Sequence, residues 1–438
     1  MRRMLALACA LLSTGFEPVL ADKAAVQTQL VQFIQREQAP AVQLLERAVN
    51  INSGTLNLAG VRAVGSLFQE QFEALGFKGT WVEGAAFQRA GHLVLKREGK
   101  GPRVLLIGHL DTVFDRTHAF QRIERVDEHT LRGPGTADMK GGIVVALTAL
   151  RALQAAHTLD DLDLTLVLNG DEEDLGEPRD ASRATLIAEA RRADIALGLE
   201  NAADDPGTAV IGRRSSSHWQ LEVRGRTAHS SRIFNDEVGA GAAYELARVL
   251  DEFYEQLHRE RNLTFSPGVL LSGSNVELDG DAMRGTASGK ANIVADRAIA
   301  IGDIRALTPA QLDRAVSSMQ TIVSKSLPQT ASTLTFTHNY PPMPPSPGNE
   351  RLLAMYDAVS RALGHGAVKA VDPARVGAAD ISFAAAFVPM NLDGLGLLGG
   401  NAHTAQEFAD LRTFPIQTQR LALLLYTLAH EQNVRKER

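Results

Sequence analysis

Val104-Leu105-Leu106-Ile107-Gly108-His109-Leu110-Asp111-Thr112 decides the reading of this chain. Four apolar residues in succession suit a strand buried on both faces of a mainly parallel sheet. In open α/β sheets, ligands bind in the crevice beyond the carboxyl ends of the strands, which is where His109 and Asp111 fall. The pattern recurs twice. An apolar run at 164–168 leads into Asn169-Gly170-Asp171-Glu172-Glu173, and one at 194–199 leads into Glu200. Three strand ends would therefore carry histidine and carboxylates to one crevice.

Two more pieces belong with these. Gly133-Pro134-Gly135-Thr136-Ala137-Asp138-Met139-Lys140-Gly141-Gly142 precedes an amphipathic helix predicted over 140–156, and Gly399-Gly400-Asn401-Ala402-His403-Thr404 forms a glycine-rich loop far along the chain. Imidazole and carboxylate are the ligands of zinc where thiols are absent. Each piece alone has an ordinary reading. His109 could be a structural histidine, Glu172-Glu173 a solvated loop, Glu200 a surface acid and Asp138 a helix N-cap. The conjunction of all five is what points to a metal centre.

The 438 residues are too many for one small domain, and 45% hydrophobic with 22% charged residues is the composition of a globular chain with a sizeable core. A net charge of −6 argues against non-specific nucleic-acid binding, and no apolar run is long enough to span a bilayer, so neither nucleic acid nor membrane is expected as a partner. Cys9 is the single cysteine, which rules out disulfides and thiol catalysis in the folded body.

Residues 1–21 read as an export signal: Arg2 and Arg3, a short apolar core from Met4 to Leu12, then Val19-Leu20-Ala21 before Asp22. The other reading is a short N-terminal helix of the fold. Cleavage after Ala21 would remove Cys9 and bring the charge to −7, and export without disulfides suits a periplasmic or secreted protein.

Residues 24–74 are largely helical in pattern, and 81–210 alternate apolar runs with amphipathic stretches, as an α/β sheet requires. The texture changes after Gly212. A strand at 219–224, a helix at about 237–260, extended segments at 269–276 and 291–304, a helix from Thr308-Pro309 to about Ser326 and a strand at 332–337 give a βαββαβ module. Pro341-Pro342-Met343-Pro344-Pro345-Ser346-Pro347 marks the return. The expected organisation is a signal at 1–21, a catalytic domain in two parts (22–212 and 339–438) and an inserted α+β domain at 213–338.

In order, GHLDT, GTADMKGG, NGDEE, GLE and GGNAHT resemble the bacterial zinc exopeptidases of the glutamate carboxypeptidase family, whose relatives include succinyl-diaminopimelate desuccinylase, acetylornithine deacetylase and the aminoacylases. The resemblance implies a mainly parallel-sheet dizinc catalytic domain with a lid and dimerisation domain inserted. It implies two Zn2+ per subunit, or other divalent metals such as Co2+ or Mn2+. Asp138 would bridge them, His109 and Glu200 would complete one, and Glu173 and His403 the other. Asp111 would orient His109, Glu172 would be the general base, and the Asp138-Met139 bond would be cis. Gly225-Arg-Thr-Ala-His229-Ser resembles the GxxSH segment, so His229 would reach a homodimer partner's site to stabilise the oxyanion. Asn292 and Arg305 stand where relatives contact the substrate's peptide oxygen and terminal carboxylate.

The resemblance also implies a substrate that is a small peptide or an N-acyl amino acid, hydrolysed to release an amino acid with a free carboxylate. A carboxypeptidase ranks first and an N-acyl-amino-acid deacylase second. A non-catalytic binding homologue would be expected to lose Glu172 or a ligand. The chain departs from the pattern at Ala379, where relatives carry a hydroxyl before the residue matching Asp380, and in the loop Asp171-Glu-Glu-Asp-Leu-Gly-Glu177. Glu200 is the choice of the carboxypeptidase and deacylase branches, whereas aminopeptidase relatives tend to use Asp.

Overall fold

Alternate residues of the strand Arg103–His109 enter two different cores, Val104 and Leu106 on one face of the central sheet and Leu105 and Ile107 on the other. That two-sided burial is the physical reason for the uninterrupted apolar run. The computed structural model describes residues 17–201, 205–279 and 284–431. Most of the expected export signal lies outside them; Glu17 already belongs to the helix Glu17–Val49. Among the described residues, no helix is long and apolar enough to cross a membrane.

The central sheet has six strands. Arg103–His109 lies between Asp163–Asn169 and Ile195–Gly198, parallel to both, and Met390–Leu392 continues the parallel set. Lys78–Glu83 and Gly91–Arg97 close the other edge antiparallel. The helices Glu17–Val49, Leu58–Glu73, Lys140–Ala155 and Thr413–His430 cover one face, and the short helices Arg179–Ala190 and Ile381–Ala384 the other. The expected helix at 140–156 is present but is not two-faced. Thirteen of its sixteen residues are buried, because it is wedged between the sheet and its neighbouring helices.

The inserted module is a second sheet, ordered Thr264–Gly273, Arg297–Arg305, Ser216–Arg224 and Ala331–Tyr340, entirely antiparallel. The helices Gly241–Leu257 and Pro309–Val323 pack on it around Trp219, Val249, Phe253 and Met319. Thr308 caps the second helix by accepting Gln311 N–H at 3.1 Å, with Pro309 in its first turn.

Three details differ from the sequence reading. A ribbon of Asn275–Leu278 with Gly285–Ser288 is added. The segment read as extended from 291 becomes a strand only at Arg297. The first helix of the module starts at Gly241, not near Glu237, since Gly239 and Gly241 both adopt positive φ and hold the chain in a turn there. The module joins the rest through a two-stranded hinge in which Arg213 and Met343 exchange backbone hydrogen bonds of 2.8 and 2.9 Å.

Candidate metal centre

Register places the strand ends together. His109 is level with Asn169, and Ile107 is level with both Val167 and Gly198. The turns that follow deliver Glu172 and Glu173 from one strand and Glu200 from the other. Asp138 comes from the loop leading into the helix Lys140–Ala155. His403 arrives from a loop where both it and Asn401 have positive φ.

Asp138 sits at the junction. Its Oδ1 is 3.1 Å from His109 Nε2, and its Oδ2 is 3.0 Å from His403 Nε2. His109 Nε2 also faces Glu200 Oε1 at 3.4 Å, and His403 Nε2 faces Glu173 Oε2 at 3.1 Å. Two three-residue groups result, His109–Asp138–Glu200 and Asp138–Glu173–His403. Within each, the donor atoms lie within 4.8 Å of one another. One imidazole and two carboxylates converging in each, with one carboxylate shared, is a donor set that fits a pair of divalent cations.

The charge balance agrees. Burial opposes protonation of His109, but Glu200, Asp111 and Asp138 outweigh it and raise its pKa well above the usual value. Hydrogen bonds to Asp138 and Glu173 push His403 up to about 11. Burial, with Asp138 adding to it, pushes Glu173 up to about 8, and burial raises Glu200 and Glu172. Protons here balance carboxylates that a metal pair would balance in their place.

A second layer fixes these groups. Asp111 approaches His109 Nδ1 at 3.4 Å, and its two oxygens accept the backbone amides of Glu172 and Glu173 at 3.1 Å each and the Thr55 hydroxyl at 2.6 Å. The Asp138–Met139 peptide bond is cis. Met139 Sδ accepts the backbone N–H of His109 at 2.9 Å, and a Cβ at Gly108 would lie 2.7 Å from that sulfur and displace it. Gly198 likewise makes space for the carboxylate of Asp393, which accepts the amide of Glu200 at 3.3 Å.

Several supporting residues escaped the sequence reading. Glu407 accepts three backbone amides (Gly135, Ala137 and Asp138) at 3.0–3.1 Å, and burial pushes its carboxyl up to about 7. Arg183, fully buried, donates to Asp171 Oδ1 at 2.6 Å and Asp380 Oδ1 at 2.8 Å. The available signal was a charged residue on an apolar stripe, for Arg183 shares the buried face of its helix with Leu186 and Ala190. Tyr340, at the end of the module's last strand, donates its hydroxyl to Glu172 O at 2.6 Å.

The donor groups open on a cleft of about 280 Å³ lined by Asp138, Glu172, Glu200 and His403 together with Arg213 and residues 375–378. Residues 105–427 match the pattern of peptidase family M20/M25/M40. The chain belongs to that family. It is therefore a hydrolase of the metallopeptidase class.

Carboxypeptidase G2 of Pseudomonas sp. (strain RS-16) is 26% identical to this M20 chain over 426 residues, 96% of each protein. Succinyl-diaminopimelate desuccinylase of Marinobacter nauticus is 26% identical over 238 residues, 52% of this chain and 60% of that one. Aminopeptidase PepT of Bacillus cereus ATCC 10987 shares the fold, with a TM-score of 0.71 and 15% identity over 90% of this chain and 99% of that one.

The remaining candidate residues of this M20 chain, His229, Asn292 and Arg305, are not among those that line the cleft. His229 and Asn292 are exposed neighbours on the inserted module, where Ser230 N–H donates to Asn292 O at 2.8 Å and His229 pairs with Ile293. Arg305 is at the opposite end of the strand that follows, and its Nε donates to Asp303 Oδ2 at 2.8 Å. Eight strand steps at about 3.3 Å each put roughly 26 Å between the ends of that strand. Neither His229 nor Asn292 lines the cleft of its own chain.

Proposed function

We propose that this protein is a dizinc carboxypeptidase that hydrolyses the amide bond of a small peptide and releases an amino acid with a free carboxylate. The observation that carries the reading is the division of Asp138, one oxygen toward each donor group, with Glu172 beside it in the same cleft. The match to carboxypeptidase G2 over 96% of both chains supports the substrate class. Deacylation of an N-acyl amino acid is the second reading, favoured by the shorter match to the desuccinylase, because both reactions present the same scissile group.

His109, Asp138 and Glu200 would hold one metal, and Asp138, Glu173 and His403 the other. When bound, the pair supplies positive charge for the attacking water and for the scissile carbonyl oxygen. Glu172 takes the proton of the attacking water on its carboxylate and passes it to the leaving nitrogen. Burial, which raises its pKa, suits a group that must both accept and return a proton near neutrality. Asp111 holds the imidazole of His109 and the backbone of the base together.

His229 with Asn292 would serve the site of a second copy in a homodimer formed through the inserted module, His229 stabilising the oxyanion. The N-terminal segment would direct export to the periplasm.

The deciding experiment offers zinc-loaded enzyme a dipeptide ending in glutamate and, separately, N-acetylglutamate, with a chelator control. Faster chelator-sensitive release from the dipeptide establishes the carboxypeptidase; faster release from the acetyl compound replaces it with the deacylase. Glu172→Gln is expected to lower kcat by roughly 10²- to 10⁴-fold. Full activity in that variant would remove Glu172 from the mechanism.

A further inference from the structure

The last strand of the inserted module ends by leaving the module. Leu334 and Phe336 of Ala331–Tyr340 pack against the core that the module's own helices share, and plain alternation would send Tyr340 to the same side. The pairing with Ser216–Arg224 slips instead between His338 and Tyr340, and such an irregularity re-aims the side chain that follows it. Tyr340 is buried in the core beneath the helices Arg179–Ala190 and Ile381–Ala384, with Phe383 and Met343. Its ring lies 5.3 Å from that of Phe383, and the Arg183 guanidinium sits 5.4 Å from the same Phe383 ring. Arg183 in turn donates to Asp171, the residue before Glu172.

Glu172 is gripped at both of its backbone polar atoms. Asp111 Oδ1 accepts its N–H at 3.1 Å, and the Tyr340 hydroxyl donates to its carbonyl oxygen at 2.6 Å. Among the described residues, no side chain hydrogen-bonds the Glu172 carboxylate, so the direction of that carboxylate is set through the backbone. Two fixed peptide planes define φ and ψ at Glu172, and with them the rotamers open to its side chain.

The two grips come from different parts of the fold. Asp111 follows the central strand Arg103–His109, whereas Tyr340 stands just before Pro341-Pro342 and the hinge residue Met343. The other hinge strand is tied to the cleft in a similar way. Arg213 Nε donates to Asp393 Oδ2 at 2.8 Å, and Asp393 Oδ1 accepts the N–H of Glu200 at 3.3 Å. Each strand of the hinge is therefore connected by hydrogen bonds to the backbone of one acid of the cleft.

Resting on the hydrolase reading above, we propose that Tyr340 is a positioning residue for the general base. Its hydroxyl fixes the Glu172 backbone to the hinge strand and so sets the aim of the base carboxylate.

Tyr340→Phe keeps the ring and its packing and removes only the donor. The substrate is a dipeptide ending in glutamate or N-acetylglutamate, whichever the metal-loaded wild type cleaves faster. In the variant kcat is expected to fall about 10-fold, the size of one buried hydrogen bond, with KM changed less than about twofold. The same substitution added to Glu172→Gln should cost nothing further, because a residue that acts through the base has no effect once the base is gone. An unchanged kcat, a loss carried by KM alone, or the same loss repeated in the Glu172→Gln background overturns the assignment.

Amide hydrogen exchange reads the grip without turnover. In metal-loaded Tyr340→Phe the amides of Glu172 and Glu173 should exchange about 10-fold faster than in wild type, while those of the helix Gly241–Leu257 keep their rates. Faster exchange confined to the two glutamates upholds the grip of Tyr340 on Glu172 even if neither compound is cleaved, in which case only the hydrolase reading fails. Unchanged exchange at both, or an equal increase along that helix, overturns it.

Discussion

Asp111 Oδ1 accepts the backbone amide of Glu172 at 3.1 Å, so the carboxylate that lies behind His109 also positions the residue proposed as base. Asp111 Oδ2 is fully used as well, by Glu173 N–H and the Thr55 hydroxyl. Asp111→Asn keeps the shape but substitutes an amide donor for one of the accepting oxygens. Metal affinity and kcat should each fall roughly 10- to 100-fold, as they do when an outer partner of a ligating histidine is lost. A competitive chelator titration and steady-state kinetics measure the two. Unchanged values in both would mean that the strand geometry alone orients His109.

Arg183 pairs with both Asp171 and Asp380, with all three side chains withdrawn from water. Removing one partner of such a set leaves buried charge uncompensated. Arg183→Ala should lose about 3–5 kcal/mol of stability by urea unfolding. Replacing both acids by Asn in the same chain should return part of that loss, because the neutral side chains no longer require a counter-charge. A loss below about 1 kcal/mol would show that water reaches the network.

Four of the five motif segments were legible because their side chains sit at or just beyond the end of an element whose own pattern is strong, and His403 was marked instead by the glycine-rich loop that carries it. His109 ends an apolar strand, and Asp138 lies two residues before a helix. What supports them was not legible. Glu407 comes 269 residues after Asp138, whose amide it accepts, and Asp393 comes 193 after Glu200. No local periodicity records contacts over such separations. The turn before Gly241 was misread for a different reason: the apolar pattern near Glu237 permits a helix, and only the positive φ of two glycines excludes it. The separation of His229 from Arg305 was hidden because the sequence assigns roles to residues without showing which end of a strand each occupies.

His92, which belongs to neither donor group, offers a pH test. Its Nε2 bonds Ser182 O at 2.7 Å and its Nδ1 accepts Gly170 N–H at 3.3 Å, which fits only the neutral ring. Burial, the largest influence, lowers its pKa below the usual 6.5. The unfolded chain therefore binds the proton first as pH falls, and folded stability drops below about pH 6.5 until the folded pKa is reached. The contribution is at most about 1.4 kcal/mol per pH unit. Unfolding of wild type and His92→Gln between pH 7 and pH 5 should show a shallower decline in the variant. Parallel curves would assign the acid sensitivity elsewhere, with Asp171 the nearest alternative.

His229 does not line the cleft of its own chain, and its proposed role leads to a complementation experiment. If His229 serves the partner's site, a dimer of one Glu172→Gln chain and one His229→Ala chain contains one doubly defective site. Its other site has an intact Glu172 from one chain and an intact His229 from the other. Mixing the two variants under conditions of subunit exchange should raise activity from near zero to about a quarter of wild type, because half the dimers are mixed and half of their sites are complete. Activity that stays at the sum of the separate variants would place His229 outside the partner's site. Restored activity at a protein concentration where only monomer is present would remove the dimer from the explanation.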